Sequence, residues 1–330
     1  MKIACVYRSI DLDGWMSAAI VKHWFNSTVE IPNKKDEPIN TLDFIGYNYG
    51  QPIPYLLEYD QVIMVDVSFP FEELKGKSVS RMFQLFQKLN ANFIWIDHHI
   101  SAIKDNIGLE YINDKGEDTS TLFNGLRNTK YAACELTWQY FFPNEPMPEI
   151  VRLLGRYDCF GHKGTAEEIK VLEFQYGARQ SIENYEDAYN ALKVSIINKT
   201  AIEYDTVWFK IWIQGKSIYQ YLYTEAKQVY KNGFEILLLE NKDNETIGNQ
   251  VKKFICINKE RFNPINFGIN YHDDGYDGAA CFHRITGGKW AFSLYNDNGE
   301  VDCSAIAKQF GGGGNKGAAE FVVKNLNEIF

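Results

Sequence analysis

No cysteine in this 330-residue chain stands close to another. The six, at positions 5, 134, 159, 256, 281 and 303, include no CxxC pair, which excludes a zinc-finger arrangement and a dense disulfide framework. Reduced, mostly buried thiols are expected instead. Long apolar runs are also missing. None approaches the roughly 20 residues of a membrane helix, and the opening MKIACVYRSIDLDGW reaches charged residues too early for a signal peptide's apolar core. The expectation is a cytoplasmic protein without membrane attachment. Basic charge is scarce: 34 Lys and Arg against 43 Asp and Glu leave a net charge of −9. Long nucleic acid wants a basic stripe, so this balance argues against it. A small anionic substrate remains compatible, because a metal ion or one local basic patch can supply the attraction. There is no fixed-period repeat and no low-complexity tract. Apolar residues at 45% and aromatics at 15% exclude disorder and allow large cores. The length suggests about two domains.

Short apolar runs alternate with helical spacing through the first half. Strands are expected at Ile3–Tyr7, Gln61–Val67 and Asn92–Ile96, apolar on both faces as buried parallel strands are. Helices are expected over Trp15–Phe25, Ser78–Asn90, Tyr131–Phe142 and Pro148–Tyr157. From Ile182 to Lys231 the spacing is helical, with Gly215 the expected interruption. The last hundred residues carry strand patterns at Phe234–Leu239, Phe254–Ile257, Ala279–Arg284 and Trp290–Leu294. A short helix from Ser304 and the segment FGGGGNKGAAEF follow. The fold class is therefore α/β: an N-terminal doubly wound, mainly parallel sheet with helices on both faces, a helical connector and a smaller C-terminal α+β domain. The boundaries fall at 1–180, 181–231 and 232–330.

Acids cluster after the strands. Asp11 and Asp13 follow the first, Asp66 ends the second, and Asp97, His98 and His99 end the third. Ligands of open α/β sheets sit beyond the carboxyl ends of parallel strands, so adjacent strands would deliver these groups to one volume. Ionised carboxylates cannot share it unless a positive charge lies between them. A divalent metal answers this, and mixed carboxylate and imidazole donors suit manganese, iron or zinc better than calcium. Asp-Leu-Asp-Gly at 11–14 lacks the later acids of an EF-hand. Two ions bridged by Asp66 would clamp an in-line attack of water on phosphorus. Singly, each Asp at a strand end is more often a turn former or helix N-cap, and His162 reads as a surface or outer group.

These residues reach a known family. DLDG at 11–14, the VDVS aspartate at 66, DHH at 97–99 and the RYD aspartate at 158 resemble the four motifs of the DHH phosphoesterase superfamily. FGGGGNKGAAEF resembles the glycine-rich motif of the DHH-associated C-terminal domain. The resemblance implies a phosphoester hydrolase with two Mn²⁺ per chain, Mg²⁺ or Co²⁺ serving as substitutes. Asp13, Asp66, His98 and Asp158 would hold one ion, and Asp11 with Asp66 the other. His99 would face the scissile phosphate and Asp97 would orient the histidines. Two positions depart from the family pattern. Tyr7-Arg8-Ser9-Ile10 carries no ligand upstream of the DxD pair, and Arg8 is a candidate phosphate contact instead. Asn315 stands where histidine is commoner.

The tail has a physical reading of its own. Gly312, Gly313 and Gly314 would let backbone N–H groups approach a phosphate. Asn315 and Lys316 would add donors, and a helix-like GAAEFVVKNL would add its dipole. His283 and Arg284, closing a strand in the same domain, are further candidate phosphate contacts. The implied substrates are short RNA or DNA oligonucleotides or small nucleotide phosphates, as for oligoribonucleases acting on nanoRNA. Exopolyphosphatase-like hydrolysis and a catalytically silent nucleotide-binding module are the alternatives. Oligomeric state is left open, a homodimer included.

Overall fold

The computed structural model describes residues 1–28, 40–74, 77–120, 122–197, 207–240, 250–260, 262–314 and 316–330. These form two compact units, Met1–Ile218 and Tyr219–Phe330.

The first unit begins with β1 (Lys2–Arg8), α1 (Leu12–Thr28), β2 (Thr41–Tyr47) and β3 (Gln61–Val65). A small antiparallel pair follows, β4 (Phe71–Leu74) with β5 (Lys77–Ser80), then α2 (Arg81–Leu89), β6 (Phe93–Ile96) and α3 (Ile100–Ile107). Five helices complete it: α4 (Ala133–Phe141), α5 (Glu149–Asp158), α6 (Glu168–Ser181), α7 (Tyr185–Ile197) and α8 (Val207–Tyr230), the last running on into the second unit. Strands β2, β1, β3 and β6 lie in that order in one parallel sheet. Their apolar residues are buried on both sides. Ala4, Val6, Met64 and Trp95 pack towards α2 and α3, whereas Ile3, Cys5, Ile63 and Val65 pack towards α1 and α4. Helices α1 and α4–α8 share a further core around Trp138, Phe174 and Ile211. The expected doubly wound α/β sheet with helices on both faces is thus present.

Two elements differ from the sequence-based expectation. The helix over Ser78–Asn90 starts later, because residues 77–80 pair as β5 and the Ser80 hydroxyl then caps α2, accepting from Phe83 N–H at 3.2 Å. Gly215 does not interrupt a helix; it lies inside α8. A Cβ there would stand 1.8 Å from the Glu173 carbonyl oxygen, and one on Gly177 would stand 2.0 Å from that of Ile211. The two glycines therefore let the backbones of α6 and α8 touch. This requirement for space produced a breaker-like residue without a break.

The second unit holds β7 (Phe234–Glu240), β8 (Gln250–Asn258), β9 (Gly278–Arg284), β10 (Trp290–Tyr295), α9 (Cys303–Gln309), β11 (Gly313–Gly314) and β12 (Ala318–Val323). They form a mixed six-stranded sheet, ordered β11-β12-β10-β9-β8-β7, in which only β8 and β9 run parallel among the described pairs. One face packs on α9 through Phe254, Phe282, Phe292, Phe321 and Ile306. The expected helix after the glycine run is absent. Residues 318–323 alternate, with Ala319, Phe321 and Val323 inward and Glu320 and Val322 outward, and that period of two makes a strand. Five of the six cysteines are buried and Cys159 is half-buried. No helix among the described residues is long and apolar enough to cross a membrane.

Helix propensity alone favours Gly215→Ala by about 1 kcal/mol. The α6–α8 contact predicts the opposite sign, a loss of about 1–3 kcal/mol from overpacking. Urea unfolding of the two proteins decides between them, and a stabilised variant would contradict the packing account.

Candidate metal centre

The parallel sheet brings the ends of β1, β3 and β6 together, and each acid there is fixed differently. Asp11 caps α1, its Oδ1 accepting from Gly14 N–H at 3.0 Å. Gly14 itself is needed, since a Cβ would lie 2.0 Å from the Arg8 carbonyl oxygen as α1 leaves β1. Asp13, 2% exposed, sits in the first turn of α1 and faces the start of α4. Its two oxygens accept from Ala133 N–H at 2.9 Å and Cys134 N–H at 2.8 Å. A carboxylate at a helix N-terminus meets unpaired donors and a favourable dipole.

Asp66 follows β3 directly and is 1% exposed. Its φ is 59°, a left-handed value uncommon outside glycine, asparagine and aspartate. Its N–H still donates to the Ile96 carbonyl at 3.0 Å, extending the ladder to β6. Neither carboxylate oxygen has a hydrogen-bond partner. Burial, followed by the charges of Asp13 and Asp11, holds the Asp66 carboxyl well above the usual range.

Asp97 is fully buried beneath the two histidines. Its Oδ1 accepts from His98 N–H at 2.7 Å, His99 N–H at 3.1 Å and the His99 ring Nδ1 at 2.8 Å, and its Oδ2 from Trp95 Nε1 at 3.2 Å. Burial works to raise its pKa, but His99 and these donors outweigh it and hold the carboxyl below the usual range. Asp97 is therefore a fixed anion bonded to His99. Burial opposes the His99 cation, yet Asp97 and Asp66 push the ring up to about 8. Arg8 Nη1 lies 2.9 Å from His99 Nε2. In the neutral ring Nε2 accepts that bond and the proton is on Nδ1.

His98 Nε2 points into the middle of the cluster. It is 3.3 Å from Asp158 Oδ2, 3.4 Å from Asp66 Oδ1 and 3.6 Å from Asp13 Oδ2, without a hydrogen-bond partner. Asp158 is the last residue of α5. Burial and the charge of Asp13 push it up to about 7. Donor atoms of Asp13, His98 and Asp158 lie within 4.8 Å of one another, as do those of Asp66, His98 and His99. Such groupings could hold a divalent cation. The fit rests on the chemistry of the set: three acids, an imidazole lone pair aimed between them, and two buried carboxylate oxygens without a donor.

Arg8 and Asp11 stand at the edge of this set. Arg8 Nε is 2.8 Å from Asp11 Oδ2. Burial works against the guanidinium, but Asp11, Asp66 and Asp158 outweigh it and lift its pKa above the ordinary value. Asp11 belongs to neither metal-sized grouping.

The C-terminal candidates are not gathered together. Gly313 and Gly314 pair with Glu320 and Ala319 in a tight hairpin. His283, half-buried, and Arg284, exposed, end β9. Three strand spacings, about 14 Å, separate them from that hairpin in the sheet. Gly312 precedes the hairpin, and exposed Lys316 follows it with its carbonyl accepting from Cys303 N–H at 2.9 Å. With β12 in place of a helix, no helix N-terminus follows the hairpin. Asn315 lies outside the described residues.

Some supporting groups escaped the sequence reading. Glu135 accepts from Ala132 N–H at 3.1 Å and pairs with Arg156, tying the start of α4 to α5. Its spacing of three from the capping position is the signal that was there to find. Buried Arg127 donates to the Trp95 and Phe123 carbonyls at 2.6 and 2.7 Å and braces β6. His162 is no surface group: it is 2% exposed, stacked on Tyr157, its Nδ1 2.8 Å from the Arg156 carbonyl.

No protein-family model matches the chain. Among curated proteins it is similar to an uncharacterized protein of Acanthamoeba polyphaga mimivirus, 23% identical over 339 residues. The alignment covers 95% of this chain and 66% of the viral protein, so the chain spans a little under two thirds of that relative's length. Solved structures similar over 98% of this chain include an uncharacterized protein from Helicobacter pylori (12% identity, TM-score 0.35, 94% of that chain). A pGpG-specific phosphodiesterase from Vibrio cholerae is another (12%, 0.47, 92%), as is an exopolyphosphatase-related protein from Bacteroides fragilis (16%, 0.44, 87%). At such TM-scores the chemistry has to be argued from the residues themselves.

The metal-free site sets a pH dependence. Asp158, ordinarily near 3.8 and raised to about 7 by folding, binds a proton in the native state that the unfolded chain has released. Its contribution to stability is complete below 3.8 and is lost as pH rises through 7. Asp66 acts in the same sense. The Tm of metal-free protein should therefore fall between pH 5 and pH 8, and Asp158→Asn should flatten that fall. An equal slope in both proteins would contradict the assignment.

Proposed function

We propose that the chain is a metal-dependent phosphoester hydrolase acting on short oligonucleotides or small nucleotide phosphates, with Mn²⁺ the preferred ion and Mg²⁺ or Co²⁺ substitutes. The observation that carries this reading is Asp66: a buried carboxylate, both oxygens without a donor, beside Asp13, Asp158 and the free Nε2 of His98. The ordered motifs that resemble the DHH superfamily support the same chemistry. They assign it to residues 1–180, the connector to 181–231 and substrate recognition to 232–330.

A divalent ion held by Asp13, Asp66, His98 and Asp158 would offset most of their charge and acidify a water molecule for attack on phosphorus. The protein's own groups do the rest. The α4 N-terminus holds and aims Asp13 through two N–H bonds. Asp97 fixes His99, which would face the phosphate. Arg8 hydrogen-bonds His99 through Nη1 and is ion-paired with Asp11, and its other N–H donors remain for a phosphate oxygen. The net charge of −9 keeps long polyanions away while leaving this local cation to act.

The test is turnover with Mn²⁺ on di- to pentanucleotides, nucleoside 3′,5′-bisphosphate, cyclic and linear dinucleotides, and polyphosphate. At least one should be hydrolysed, and turnover of none would contradict the reading. Turnover of polyphosphate alone would favour the exopolyphosphatase-like alternative. Asp66→Asn keeps a residue that tolerates the left-handed backbone. It should lower turnover about 10²–10³-fold or more and abolish the rise in Tm that Mn²⁺ gives the parent protein.

A further inference from the structure

The acid cluster has one corner already neutralised by the protein. Asp11 Oδ1 accepts from Gly14 N–H at 3.0 Å, and its Oδ2 is ion-paired with the Arg8 guanidinium, 2.8 Å from Nε. The same guanidinium reaches His99 Nε2 at 2.9 Å through Nη1. With Nδ1 bonded to Asp97 at 2.8 Å, His99 has no ring nitrogen left for a cation. The grouping of Asp66, His98 and His99 therefore loses a member, while Asp13, His98 and Asp158 keep theirs. Asp66, whose oxygens are unpartnered, completes that second set.

We infer that Arg8 stands in for a second metal ion, so that the centre takes one divalent cation, held by Asp13, Asp66, His98 and Asp158. This rests on the hydrolase reading and sharpens it. An ion shared by Asp11 and Asp66 would have to sit beside the guanidinium, which stays protonated at any pH the fold survives. Two cations cannot share that corner without repulsion. The guanidinium serves the same end as an ion there. It is a fixed positive charge, and its planar donors suit phosphate oxygens. Arg8 occupies the stretch before the DxD pair where no metal ligand is present, so one residue explains both the missing ligand and the engaged Asp11.

Mn²⁺ alone is the probe, titrated into full-length protein and followed by electron paramagnetic resonance. The parent protein should bind one ion per chain, with an uncoupled six-line spectrum. Arg8→Ala should bind two, with the broadening of ions about 4 Å apart, and adding Asp11→Ala to it should return the count to one. Arg8→Gln, which keeps length and polarity without charge, replaces Arg8→Ala if that variant does not fold. Two coupled ions in the parent protein, or one ion in the Arg8 variants, would overturn the inference and leave the hydrolase reading intact. No bound ion in the parent at millimolar Mn²⁺ would overturn both.

Discussion

A buried carboxylate without a donor is the constraint around which the first unit is built. Asp66 is 1% exposed and has no hydrogen bond to either oxygen, and Asp13 and Asp158 lie around the same His98 nitrogen. Such a group costs several kcal/mol in a protein interior unless it is protonated or paired. Protonation is the metal-free solution, and it is why Asp66 and Asp158 are raised. A divalent cation is the other, and it turns the unfavourable clustering into affinity. The strained left-handed backbone of Asp66 fits this view, because strain persists where surrounding structure holds it and commonly where function uses it.

The rest of the unit supplies geometry. Parallel pairing aligns the ends of β1, β3 and β6. The start of α4 holds Asp13, and the Glu135–Arg156 pair holds α4 against α5, whose last residue is Asp158. Arg127 and the Trp95 indole brace Asp97, which in turn sets the tautomer of His99. Asp13 and His99 are thus fixed by neighbours, as metal sites require of the groups around them.

Much of this was legible in the sequence. Strands apolar on both faces, each followed by acid, located the sheet and the gathering of acids beyond its strand ends. What was not legible depended on partners distant in sequence. Gly215 looked like a breaker because only Gly177, on another helix, reveals its packing role. The run GAAEFVVKNL has helix-forming composition, but pairing with β10 selects the alternation of Ala319, Phe321 and Val323. Asp11 caps α1, one of its two sequence readings, and its other oxygen is ion-paired with Arg8. No local pattern announces that a guanidinium will span Asp11 and His99, since it arises where β1 and β6 end side by side.

Asp13, Asp66, His98 and Asp158 are proposed to form one cation site. Anomalous diffraction at the manganese edge, from crystals grown with Mn²⁺, tests it most directly. The account predicts a strong peak within coordination distance of those four side chains. A peak elsewhere, or none in crystals whose solution contains millimolar Mn²⁺, would contradict it.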